Sequence, residues 1–90
     1  MKNTDVQIRS NRQNFGTDFP LGGEWDAGVT HNAPQGRWTV RRDPEHFVVF
    51  FHHFLSGENI LLNTFEPTEE GEVAAKNAAL AARDTGQRAP

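Results

Sequence analysis

The chain has no cysteine among its 90 residues, which removes two common supports of a small domain. Neither a disulfide framework nor a thiolate zinc site can compensate for a small core. Long apolar runs are missing as well. No stretch approaches the roughly 20 apolar residues of a membrane span, and the leading MKNTDVQIRS lacks the apolar core of a signal peptide. A soluble, cytoplasmic protein with no membrane partner is therefore the expectation. Nor is there an excess of positive charge: 9 Lys and Arg stand against 12 Asp and Glu, a net charge of −3, and no segment is strongly basic. Duplex binding is dominated by neutralising phosphates, so such a chain binds nucleic acid only if its cations gather on one face.

Catalytic signatures are equally scarce. The serines are Ser10 and Ser56, the second in a turn without a Gly-x-Ser-x-Gly elbow. Gly16, Gly22 and Gly23 lack the strand and helix setting of a phosphate loop. The histidines are His31, His46, His52 and His53. Along a strand His46 and His52 lie about 20 Å apart, and the adjacent pair His52 and His53 face opposite ways, so the spacing does not suit a shared ion. The reading is of a non-enzymatic protein with no metal and no cofactor.

What is present is concentrated in the middle of the chain. RWTVRR (37–42) alternates Trp38 and Val40 with Arg37, Thr39 and Arg41, the pattern of a half-buried strand. Asp43-Pro44-Glu45 makes a turn, HFVVFFHHFL is rich in β-branched and aromatic residues, Ser56-Gly57-Glu58-Asn59 turns again, and NILLNTF follows. Two tight connections in succession require antiparallel pairing, because a parallel pair needs a long crossover. EWDAGV upstream reads as a further strand, and DVQIR as a possible edge strand. After Phe65 the period becomes helical. Thr68 is the expected N-cap, Glu69, Glu70 and Glu72 favour the positive end of the helix dipole, Arg83 the other end, and Gly86 is the stop. Val73, Ala74, Ala78, Leu80 and Ala81 are the expected buried face.

The predicted fold is α+β: an antiparallel meander of three to four strands with one C-terminal helix packed on one face (βββα). Residues 1–23 are expected to form a loose segment or lid, 24–86 the βββα domain and 87–90 a frayed tail. A helix covers only one face of such a sheet. Phe15, Phe19, Leu21 and Trp25 could fold back over the other as a lid, and a patch left open there would mark an interaction site for a protein partner or a second copy. A closed pocket beneath the lid would instead suit a small ligand.

GRWTVRRDP, with NTFEPTEEGEVAAKNAALAAR, gives residues 36–83 a further meaning. They resemble the βββα domains of the AP2 DNA-binding family and of the N-terminal region of phage integrases. That resemblance implies the same fold and DNA binding through arginines of the sheet. Asn63 stands where that family has glycine before Thr-Phe, and this chain is not basic. By size, charge and architecture the chain is also similar to small phage inhibitors, anti-CRISPR proteins among them. The leading expectation is thus an inhibitor of phage or mobile-element type that docks a protein partner through an aromatic and arginine sheet face with an adjacent acidic surface. The site residues are Arg37, Arg41, His46, Phe50, His52, Glu69, Glu70 and Glu72. The alternative is sequence-specific DNA binding by the sheet arginines, with nucleic acid the less favoured partner.

Overall fold

The structure, a computed structural model, describes residues 20–30 and 34–90. Its elements follow in the order β1 (Glu24–Gly28), β2 (Gly36–Arg42), β3 (Phe47–His53), β4 (Asn59–Phe65) and α1 (Glu69–Thr85). The strands lie in the sheet in that same order, each antiparallel to its neighbour, so the architecture is a four-stranded α+β meander closed by one helix. The possible edge strand DVQIR and the lid residues Phe15 and Phe19 lie outside the described residues. No helix among the described residues is long and apolar enough to cross a membrane.

Alternation along the strands sorts the side chains into two layers. Trp38 and Val40 of β2 and Phe47, Val49 and Phe51 of β3 point at α1 and are fully or almost fully buried. The register sets Trp38 opposite Phe51, and their rings meet at 4.7 Å in a tilted arrangement. Two irregularities interrupt the ladders. One turns Ala27 of β1 into the core, and the other leaves Leu62 as the extra residue of β4 opposite Val49 and Phe50. Gly36 must be glycine for space, since a methyl group there would overlap the His52 carbonyl and the Phe51 ring.

Helix α1 begins and ends where its signals stand. The Thr68 hydroxyl accepts from Gly71 N–H at 3.0 Å, satisfying one of the helix's orphan donors. Gly86 adopts the left-handed conformation (φ 75°), and Gln87 N–H donates to the Ala82 carbonyl at 2.9 Å. The face that α1 buries is a different one from that expected. Ala75, Ala79 and Ala82 lie on the sheet with Gly71 and Glu72, whereas Val73 is 58% exposed. Ala78 and Leu80 flank the core without centring on it. The cause is steric: the sheet supplies bulky rings, so the helix can approach only along its smallest side chains, and ranking faces by apolar bulk points the wrong way.

The tail expected to fray from residue 87 is held at its start. Trp38 Nε1–H donates to the Gln87 carbonyl at 2.6 Å, and the Arg88 guanidinium lies 5.7 Å from the centre of the Phe51 ring. A buried indole N–H with a partner costs nothing in lost hydration, whereas an orphaned one would.

These contacts predict the ranking of substitutions in α1. Ala79→Leu, forced into the fully packed core between helix and sheet, is expected to lower stability by about 1–3 kcal/mol. Val73→Ala is expected to change it by no more than about 0.5 kcal/mol. Urea denaturation of the two variants checks the order, and equal losses would contradict the assigned face.

Candidate interaction surface

The face turned away from α1 is built by Glu24 and Asp26 of β1, Arg37, Thr39 and Arg41 of β2, Val48, Phe50 and His52 of β3, and Leu61 and Thr64 of β4. Register decides its electrostatics. Glu24 stands directly opposite Arg41, and the two form an ion pair at 2.9 Å to which Arg41 Nε adds a hydrogen bond at 3.2 Å. Asp26 pairs diagonally with Arg37 at 3.6 Å. Both arginines on this face are therefore neutralised by acids of the neighbouring strand. Arg42, two residues after Val40, turns to the helix side and is nearly buried.

Phe50, expected to be an exposed anchor, is only 5% exposed. The guanidinium of Arg41 lies over its ring at 5.0 Å from the centroid, a cation–π contact in which the long side chain covers the aromatic. Thr39 on the same face is 1% exposed. The middle of this face is thus closed, and Phe50 as an anchor is corrected on that ground. Trp25, assigned to a lid over this face, is set on the opposite one: it packs against the helix-side core, with the Lys76 ammonium 5.3 Å from its ring. Leu21, its companion in that lid, is exposed.

The expected site residues do not converge. Arg37 pairs in register with His52 at one end of the sheet. His46 sits in the β2–β3 turn at the other end, where its carbonyl accepts from Asp43 N–H at 2.9 Å. Glu69, Glu70 and Glu72 start α1 at that same end, because only residues 66–68 separate β4 from the helix. They stand in the helix layer, away from the arginines. Glu72, moreover, is buried and bonded to Lys76 at 3.1 Å, so it cannot form part of an acidic surface. Glu70 is exposed and Glu69 partly so.

Two exposed apolar side chains follow β3 just beyond His52. The His52 Nδ1 is 2.6 Å from the Asn59 amide oxygen, and its ring meets Phe54 edge-on at 6.2 Å. Phe54 is about half exposed, Leu55 is 99% exposed and Leu61, beside Phe50 on β4, is 53% exposed. Phe54 and Leu55 thus extend the strand end at which His52, Asn59 and Arg37 stand, while Leu61 lies further along the same face, in register with Phe50. Sequence reasoning passed over Phe54, Leu55 and Leu61. The signal was there in Phe54-Leu55 immediately before the turn formers Ser56-Gly57, where no strand remains to bury them.

Among the described residues, no group of three His, Asp or Glu side chains is placed to hold a metal ion. No protein-family model matches the chain, and comparisons with curated proteins and with solved structures found no match.

The Arg41 contacts yield a measurable expectation. Arg41→Ala removes the cover of Phe50 and leaves Glu24 unpaired, and should cost about 1 kcal/mol in urea denaturation. Arg41→Lys should recover only part of that loss, since a point charge neither stacks flat on a ring nor binds carboxylate through two donors.

Proposed function

We propose that this protein is a non-enzymatic binding module that docks a protein partner through the end of its sheet formed by Arg37, His52, Phe54, Leu55 and Leu61. The observation that carries the reading is the wholly exposed Leu55 directly after half-exposed Phe54, with half-exposed Leu61 further along the same face of the sheet. Keeping such a group in water is unfavourable unless a partner covers it, and an apolar centre rimmed by Arg and polar groups is the composition of protein interface hot spots. Inhibition by occlusion, in the manner of the small phage and mobile-element inhibitors that the chain is similar to in size and charge, is the form of action proposed. The acids Glu69 and Glu70 would then turn a negative layer away from the docked end.

Sequence-specific DNA binding through Arg37 and Arg41 is the competing reading, and the ion pairs weigh against it. To contact phosphate, each arginine must first give up a carboxylate, while Glu24 and Asp26 would approach the same backbone. Arg42, the third arginine of β2, is turned to the helix side and nearly buried.

Two measurements test the reading. In a pull-down from a native host extract, Leu55→Glu and Phe54→Ala are expected to lose a protein that the wild type retains, with thermal stability unchanged because both residues lie outside the core. A gel shift against mixed-sequence duplex should show no binding at moderate salt. Tight, steeply salt-dependent binding that disappears in Arg37→Ala would overturn the protein-docking reading in favour of DNA.

A further inference from the structure

We propose that β4 pairs edge to edge with β4 of a second copy of this chain, continuing the sheet across a two-fold axis. The two edges of the sheet differ in kind. β1 is short, carries Glu24 and Asp26, is broken by the irregularity at Ala27, and has its Gly28 N–H taken by the Asp26 carboxylate at 2.7 Å. Charge, brevity and bulging are the usual devices that keep an edge from pairing. β4 reads NILLNTF over seven residues without a single charge.

The direction of its main-chain groups follows from the neighbouring strand. His53 N–H donates forward to the Glu58 carbonyl at 2.9 Å, and Phe54 N–H donates back to Gln35 at 2.8 Å. Main-chain groups alternate along β3, so Phe51 bonds towards β4 and its register partner Ile60 bonds inward. Asn59 and Leu61, on either side of Ile60, then direct N–H and C=O out of the sheet. Further along, Leu62 bulges and the Asn63 amide oxygen accepts from Thr64 N–H at 2.9 Å, which closes that half of the edge. The stretch left for pairing is 59–62.

A second copy is the occupant that charge favours. The chain carries a net −3, so two copies repel broadly and can approach closely only where local charge is absent. A two-fold pairing sets the strand against itself, and an uncharged strand opposes no like charges when it does so. With Ile60 on the axis, Asn59 of each copy faces Leu61 of the other, and each of these pairs exchanges both of its main-chain hydrogen bonds. Pairing uses the backbone edge and takes up Leu61, which the two proposals share, but leaves the turn at Phe54 and Leu55 free, so the dimer would present that turn once on each copy.

So short a ladder buries less area than a standard stable interface, and the dimer should be weak. Light scattering from about 10 μM to about 1 mM protein is expected to show the mass rising from one chain towards two. Amide hydrogen exchange at Asn59 and Leu61 should slow over that range while exchange at Leu55 does not. Leu61→Lys, which sets charges near each other across the axis, should remain a monomer with an unchanged circular dichroism spectrum. Leu55→Glu, the variant that tests partner docking, should dimerise normally, so failure of one proposal is distinguishable from failure of the other. A constant one-chain mass, or a dimer whose Asn59 and Leu61 amides exchange equally fast at both concentrations, overturns the pairing. If Leu61→Lys does not fold, the exchange measurement on the wild type decides.

Discussion

Everything in this molecule depends on how closely one helix can lie over one sheet. The stripe Ala75, Ala79 and Ala82 removes side-chain bulk from α1, and the space is filled from the sheet by Trp38, Phe47, Phe51, Val40 and Val49. The tight connection from β4 into the helix demands Gly71, whose position a methyl group could not occupy without overlapping the Glu66 carbonyl. The division of labour suits a chain with little apolar material: the rings sit where neighbouring strands already hold them, and the helix serves as a low cover with few rotamers to order.

The opposite face solves the same problem by different chemistry. With no second helix among the described residues, Phe50 is covered by an arginine that is itself neutralised from β1. This ties the exposed residues of β1 and β2 into one arrangement that is charged in composition and nearly neutral in field. The centre of the sheet is closed, and exposed apolar side chains stand at its end, where Phe54 and Leu55 follow the last residue of β3.

Much of the fold was legible because local signals agree. Strand alternation in RWTVRR, the turns at Pro44 and Gly57, the Thr68 cap and the Gly86 stop each specify an element without reference to the rest, and all of them stand in the structure. The helix face was not legible, because it is set by the size of what the helix meets rather than by its own pattern. The exposure of the expected site residues was not legible either. Whether Phe50 is bare depends on Arg41, nine positions away, and on Glu24 beyond it, a three-body contact that alternation along one strand cannot express. Glu72 was misassigned for a related reason: an acid in a first helical turn is good capping chemistry wherever it points, and only packing reveals that it points inward to Lys76.

One contact separates the order in which parts of this protein can be completed. The four strands of the meander find their neighbours along the chain, and such short-range pairings form early and quickly. The indole of Trp38, in the second of those strands, receives its hydrogen-bond acceptor from a residue 49 positions downstream, past the end of the helix. A nascent chain that has exposed only its strands can assemble a sheet yet holds its largest core side chain with an unmet donor. Maturation of the interior is thereby postponed until the helix and the residues after it have emerged.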